Sequence, residues 1–314
     1  MTIEIREELK RRNIRFEDLT SLGGDASNRK YYVIQQGNKN NILMFDNDAK
    51  NLKNFIKISK YLKEHVSTPA IIKNFKKSGI LIIENFNNNK FGEILSKSNV
   101  MMLYKIAVDA LIYIHKNKPN LRLPKYTNKI FFEESNLFFD WYVKAPKKNV
   151  ELIKDEFNSI FIDYLNKLSS VPEVFIHRDY HVDNLFFLKD KENHFKCGWI
   201  DYQDALFGPC VYDLVSLTQD ARIDVDKKLE KTIVKYYLEK FSDVDRDSFH
   251  FCYSVLAIQR HLKVLGIFSR LAIRDKKKNY LRHIPRVLKL LESNLKKDEF
   301  SYIHEVLKYP LGIR

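Results

Sequence analysis

At 314 residues, 45% of them hydrophobic, the chain is long enough for one large domain or two joined lobes around an ordinary core. No apolar run nears the roughly 18 residues of a membrane span, residues 1–8 carry acids where a signal peptide is apolar, and three cysteines without metal spacing (Cys197, Cys210, Cys252) predict a reducing, cytoplasmic setting. The net charge of +14 is spread along the chain, and its densest run, Arg274-Asp275-Lys276-Lys277-Lys278, reads as a solvated helix end, so charge alone predicts neither a nucleic-acid nor a membrane partner.

The first part of the chain reads as β-rich. Phe16 to Leu22 is a short predicted strand, and Gly23-Gly24-Asp25-Ala26-Ser27-Asn28 a turn. Arg29 to Ile34 is a second strand, aromatic and β-branched as strands prefer. Gln36 to Asn40 turns the chain into a third strand over Asn41 to Phe45. Helical spacing of Leu52, Phe55, Ile56, Ser59 and Leu62 predicts a helix over 49–65. Two strands follow, 70–75 and 80–84, and then a polar segment, Asn85 to Asn89. After it the pattern turns helical, with long apolar-periodic helices over 99–116 and 150–168. A short strand over 172–176 leads into His177-Arg178-Asp179-Tyr180-His181-Val182-Asp183-Asn184. Phe186 to Leu188 and Phe195 to Ile200 should pair as a hairpin across Lys189 to Asn193, placing Asp179 and Asp201 on neighbouring loops. From about Cys210 onward the chain reads as helices.

Residues 177–184 fit H-R-D-x-x-x-x-N, the catalytic loop of protein kinases, and Asp201 ends an apolar run where a kinase keeps its D-F-G metal ligand. The chemistry explains the residue types. Transfer of a phosphoryl group needs an oxyanion that positions the acceptor hydroxyl and takes its proton, which Asp179 supplies. It also needs hard oxygen ligands for Mg²⁺, which Asn184 and Asp201 supply. Asp204, three residues on, stays open among a supporting contact, a helix cap and a substrate contact. No A-P-E element follows, and only a short stretch separates Asp201 from Asp213, which leaves no room for a long activation loop and argues against a protein substrate.

Four stretches carry a family resemblance: Gly24-Asp25-Ala26-Ser27-Asn28-Arg29-Lys30-Tyr31-Tyr32, Ile176 to Tyr180, Asp201 to Ala205, and Gln259 to Phe268. On these the chain resembles the aminoglycoside phosphotransferase and choline kinase superfamily. Within it, the chain is similar to the bacterial anomeric kinases of N-acetylmuramate and N-acetylglucosamine, which act in cell-wall sugar recycling. The resemblance implies an α+β, bilobal, protein-kinase-like fold. Residues 1–87 would form a nucleotide-binding β-rich lobe and hinge, and residues 88–314 a helical lobe with the catalytic loop and acceptor site. It implies ATP and Mg²⁺ as cofactors and an amino sugar as the small-molecule substrate. Gly24 and Ser27 would belong to the loop covering the phosphates, though two glycines without G-x-G-x-x-G read equally as an ordinary hairpin turn. Glu84 and Phe86 would flank the hinge that meets adenine. Asp213 would anchor the catalytic loop through its backbone, with His177 and Arg178 as loop organisers. Arg260 and His261 read either as acceptor-pocket residues or as a satisfied core pair.

The sequence departs from protein kinases on the third strand, where Asn41-Ile42-Leu43-Met44-Phe45-Asp46 has no V-A-I-K lysine. The sugar-kinase subgroup it resembles also carries methionine and aspartate here. Alternate strand residues face opposite sides, so one of Arg29 and Lys30 faces the nucleotide, and Arg29 is the expected one. Choline, homoserine and aminoglycoside kinases are the alternative enzymes, but those relatives usually read H-G-D. The missing lysine and the +14 charge keep open a non-catalytic nucleotide-binding partner, since some relatives occur beside a tRNA-modification ATPase.

Overall fold

The computed structural model of the chain describes residues 2–22, 29–117, 120–144 and 146–312. In chain order its elements begin with α1 (Thr2–Arg11), β1 (Asp18–Ser21), β2 (Lys30–Gln36), β3 (Lys39–Phe45), α2 (Ala49–Leu62), β4 (Ile71–Phe75) and β5 (Ile80–Ile83). They continue with α3 (Phe91–Ile94), α4 (Val100–Lys116), α5 (Asn128–Ser135), α6 (Lys147–Asn166), β6 (Glu173–Ile176), β7 (Leu185–Phe187), β8 (Cys197–Trp199) and β9 (Leu206–Pro209). The last are α7 (Tyr212–Thr218), α8 (Lys227–Lys240), α9 (Arg246–Ile273), α10 (Ile284–Leu295) and α11 (Ser301–Leu311). Among the described residues no helix is long and apolar enough to cross a membrane.

Internal contacts divide the chain into two compact units, residues 1–94 with 183–204, and residues 95–182 with 205–314. The division differs from a single cut after residue 87, because the β7–β8 hairpin belongs with the N-terminal sheet. Trp199 N–H donates to the Ser67 carbonyl at 2.8 Å, Phe187 N–H donates to the Asn89 carbonyl at 2.8 Å, and Ser67 Oγ donates to the Phe195 carbonyl at 2.7 Å.

The first unit is built on a five-stranded antiparallel sheet of order β1-β2-β3-β5-β4. Gly37, at φ +59°, closes the β2–β3 hairpin in the left-handed region that glycine enters at no steric cost. On one sheet face Leu19, Tyr32, Ile34, Leu43, Ile80 and Ile82 form a core with Ile5, Leu9 and Ile14. Helix α1 therefore covers that face, an element the sequence reading passed over although Ile5 and Leu9 stand one turn apart. Met44, Leu81 and Ile83 point the other way and are also buried, so β5 is apolar at all four positions.

The second unit is mostly helical. Its long central helix, α9, is buried along most of its length and packs against α5, α7 and α10. One two-stranded ladder interrupts the helices: β6 pairs antiparallel with β9, from Glu173↔Pro209 to Ile176↔Leu206. β9 falls just before the stretch expected to be all helical. Its Gly208 and Pro209 mask a strand, and its partner lies some thirty residues earlier in sequence.

Candidate active site

In the second unit, β6 delivers residues 177–181 as a tightly tied loop. Arg178 sits at φ +77°, a left-handed conformation that costs a non-glycine residue roughly 1–3 kcal/mol. The surroundings hold it there. The fully buried Asp213 carboxylate accepts the His177 N–H at 2.6 Å and the Arg178 N–H at 3.0 Å. Burial pushes Asp213 above the ordinary carboxylate range, against the pull of His177 and these two donors. Arg260, itself buried, donates from Nη1 to the Arg178 carbonyl at 3.0 Å. The Arg178 guanidinium pairs with Glu134 and lies 5.6 Å from the Tyr126 ring centroid.

Asp179 follows directly. Burial by itself would raise its carboxyl, but Lys263, then Arg260, with Arg178 behind them, outweigh that and hold it well below the usual range. The side chain is therefore ionised at neutral pH. His181, two residues on, is the opposite case. Burial, then the charge of Arg222, keep its imidazole neutral. Asp220 supports this end of the loop, accepting the Val182 N–H at 3.4 Å and the Arg222 N–H at 2.8 Å. Five expected residues, His177, Arg178, Asp179, Asp213 and Arg260, thus meet in one place. His261 does not join them. It is the next residue along α9, so it turns to another face, and burial followed by the Arg260 charge pushes its imidazole down to about 3.

In the first unit, Asn184 and Asp201 flank the β7–β8 hairpin. The Ile200 N–H donates to the Asn184 carbonyl at 3.1 Å, so the ladder that begins at Leu185↔Trp199 closes beside both residues. Asp201 is at φ +63°, tolerated by aspartate better than by most residues. The next residue, Tyr202, is fully buried, stacked on Phe55 at 5.3 Å and hydrogen-bonded to Ser59 at 2.8 Å. That anchor leaves the Asp201 side chain 44% exposed. Gln203 Nε2 donates to Asp201 Oδ1 at 2.9 Å and to Asp204 Oδ2 at 3.2 Å, tying the two acids together.

Arg29 is buried, pairs with Asp46 at 2.9 Å, and places Nη1 3.7 Å from Asp201 Oδ1. The aspartate at the end of β3 is thus the partner of the arginine that leads into β2. Burial and then the Asp201 charge push the neighbouring Tyr31 phenol up to about 12. Among the described residues no group of three or more His, Cys, Asp or Glu forms a ready-made metal centre. A part-exposed carboxylate and an amide oxygen on one hairpin end nevertheless suit Mg²⁺, which takes few protein oxygens and keeps the rest of its shell for water and phosphate.

Glu84 and Phe86 lie elsewhere in this unit. Glu84 exchanges two hydrogen bonds with Ala70, through its carboxylate at 3.1 Å and its backbone N–H at 2.9 Å. The Phe86 ring packs 5.6 Å from that of Phe186 and closes over Gly198, where a Cβ would come within 2.7 Å of it. A cavity of about 400 Å³ is lined by residues 84–87, 89 and 188–191, and none of Arg29, Asn184 or Asp201 lines it. Gly24 and Ser27 lie outside the described residues.

The sequence patterns assign no role to four residues around these sites: Glu134, Lys263, Asp46 and Gln203. Lys263 carried a usable signal, standing three residues after Arg260 on the same helical face. Glu134 carried none, being one of two adjacent acids on a short helix.

The model of the phosphotransferase enzyme family (APH) matches residues 18–251. The chain belongs to the phosphotransferase enzyme family. Within the family's reach, an N-acetylmuramate/N-acetylglucosamine kinase of Neisseria meningitidis is 30% identical over 288 residues, 87% of this chain and 84% of the relative. The enzyme of the same name from Pseudomonas aeruginosa is 30% identical over 310 residues, 92% of this chain and 88% of the relative. Among solved structures, the choline kinase LicA from Streptococcus pneumoniae superposes with a TM-score of 0.65 at 17% identity, over 93% of this chain and 99% of that one. ADP-bound aminoglycoside phosphotransferase APH(2'')-Ib gives 0.65 at 13% identity, over 94% and 99%. The chain is a phosphotransferase with the α+β, protein-kinase-like fold of these structures.

Proposed function

We propose that this phosphotransferase moves the γ-phosphoryl group of ATP to the anomeric hydroxyl of N-acetylmuramate or N-acetylglucosamine, giving the sugar 1-phosphate, as a step of cell-wall sugar recycling in the cytoplasm. The acceptor rests on the relatives that carry that name across most of the chain. The observation that carries the chemistry is Asp179: a half-buried carboxylate kept ionised by neighbouring cations, on a loop tied down at its backbone.

Asp179 would accept a hydrogen bond from the anomeric hydroxyl and orient its oxygen toward the γ-phosphorus. As the new O–P bond forms and the bond to the bridging oxygen of ADP breaks, the hydroxyl proton passes to Asp179. A strong base is not required, because the loose transition state loads little charge on the attacking oxygen before the proton leaves. Asn184 and Asp201 would hold Mg²⁺, which when bound offsets charge on the phosphate oxygens. Arg29 would serve this end by fixing Asp201 rather than by reaching far from its Asp46 partner.

The test is ATP consumption with Mg²⁺ against N-acetylmuramate, N-acetylglucosamine, choline, homoserine and kanamycin. Turnover on an N-acetylated amino sugar with a 1-phosphate product is the expected result, and turnover confined to another acceptor overturns the reading. The Asp179→Asn variant should lose about 10²–10⁴-fold in kcat and still bind ATP. Unchanged turnover would remove Asp179 from the role of base.

A further inference from the structure

We infer that Glu134 is a positioning residue for phosphoryl transfer: held by four donors, it grips the Arg178 side chain and so locks the left-handed turn that aims Asp179. The inference stands on the reading of Asp179 as the base.

Glu134 lies on α5, 44 residues before the loop, with both carboxylate oxygens engaged twice. Oε1 meets Arg178 and the Lys263 ammonium at 3.1 Å. Oε2 accepts from the Tyr126 hydroxyl and from Gln259 Nε2 at 3.3 Å. A carboxylate has about four lone-pair sites, so four donors leave it one orientation. The donors are themselves fixed. Lys263 also donates to the Tyr212 hydroxyl at 3.2 Å, Tyr212 packs edge-on against Tyr126 at 5.1 Å, and Tyr126 stacks on Phe131 at 3.9 Å.

Arg178 is thereby gripped at three points. Asp213 takes its N–H, Arg260 takes its carbonyl, and Glu134 takes its side chain. Gln259, Arg260 and Lys263 stand within two turns of α9, so one helix controls both the main chain and, through Glu134, the side chain of a single residue. A glycine would reach φ +77° without strain but would offer no side chain to hold. Arginine accepts the strain and converts it into an anchor. A misplacement of about 1 Å at the reacting centre can cost on the order of 10²-fold, so the anchor belongs to the chemistry and not only to the core.

Glu134→Gln keeps the shape and removes the charge. It should lower kcat by about 10–100-fold per folded molecule while KM for ATP stays within about twofold. Tyr126→Phe deletes one donor and keeps the ring, and should cost about 3–10-fold in kcat. The double variant should be no slower than Glu134→Gln, because both act through the same carboxylate. A Glu134→Gln kcat within twofold of wild type overturns the inference, as does a double variant in which the two losses multiply. If Glu134→Gln does not fold, Tyr126→Phe decides: a wild-type kcat overturns the inference, and a reduced kcat at unchanged KM supports it. Asp179→Asn, measured alongside, separates the layers. Unchanged turnover there removes the base and this inference together, whereas an Asp179→Asn slowed by about 10²–10⁴-fold beside a fully active Glu134→Gln removes this inference alone.

Discussion

Two non-glycine residues in left-handed backbone, Arg178 and Asp201, stand on the two loops that carry the expected chemistry. Each is held by side chains, most of them distant in sequence. Arg178 is fixed from Asp213, Arg260 and Glu134, and Asp201 has Arg29 and Gln203 against its carboxylate. Aspartate and asparagine tolerate this region and β-branched residues do not, which separates fold from function at position 201. Asp201→Asn should leave stability within about 1 kcal/mol of wild type and lower Mg²⁺-dependent kcat/KM by at least about 10²-fold. Asp201→Val should lose the same activity and also roughly 1–3 kcal/mol of stability from backbone strain. Thermal melts beside steady-state kinetics distinguish the two, and an active Asp201→Asn would exclude Asp201 as the metal ligand. Local spacing singles out Asp179 and Asn184 as candidates, because the interval from His177 to Asn184 is itself the signal, and Asp201 stands out as the acid that ends an apolar run. The roles of Glu134 and Asp46 were not legible. Their partners are 44 and 17 residues away, and nothing local marks one buried acid among forty acidic residues.

At the scale of elements, the N-terminal sheet announced itself through strand alternation and the Gly37 turn, with ends shifted by a residue or two. The failures share a cause. α1 and β9 are short and draw their stability from surfaces they do not encode: α1 from the sheet face under Ile5 and Leu9, β9 from its ladder to β6. Helix α9 shows the same dependence in the opposite direction. Its 28 residues are buried on nearly every side, so apolar content alone does not tell which face meets which neighbour. Gly266 marks one contact. A Cβ there would fall 2.3 Å from the Leu137 carbonyl carbon, and the obstacle is backbone, which cannot swing aside. Alanine normally favours a helix over glycine by about 1 kcal/mol. Gly266→Ala should nevertheless destabilise the protein by about 3 kcal/mol, because overpacking against a fixed chain exceeds the propensity gain. Chemical denaturation measures this directly, and a neutral or stabilised variant would mean that α9 and residue 137 can separate without cost.

For the whole molecule, the basic charge makes acidification a severe test, and buried histidines determine where it begins. His115 on α4 and His261 on α9 are both buried, and burial pushes each imidazole down to about 3. Unfolded, each titrates near 6.5. Between these values the unfolded chain binds protons that the folded chain refuses, so stability falls as pH drops below 6.5 and continues to fall toward 3. From pH 6.5 to pH 5 each should remove about 1.5 kcal/mol. His181, also held below its ordinary value, contributes with the same sign. Glu134 and Asp179 do not contribute in this window. Their carboxyls are depressed, so the stability they add is complete above their unfolded values near 4.5 and 3.8, and is lost only as pH falls toward their folded ones. Asp213 has the reverse sign, since its raised carboxyl is relieved by acid. A difference measurement removes these background terms. The gap in unfolding free energy between His261→Met and wild type should move by about 1.5 kcal/mol in favour of the variant between pH 6.5 and pH 5. Acceptor KM should not change at either pH, because His261 turns away from the Asp179 loop. A raised acceptor KM would return His261 to the substrate pocket, and a pH-independent gap would show that its imidazole takes up a proton inside the folded protein.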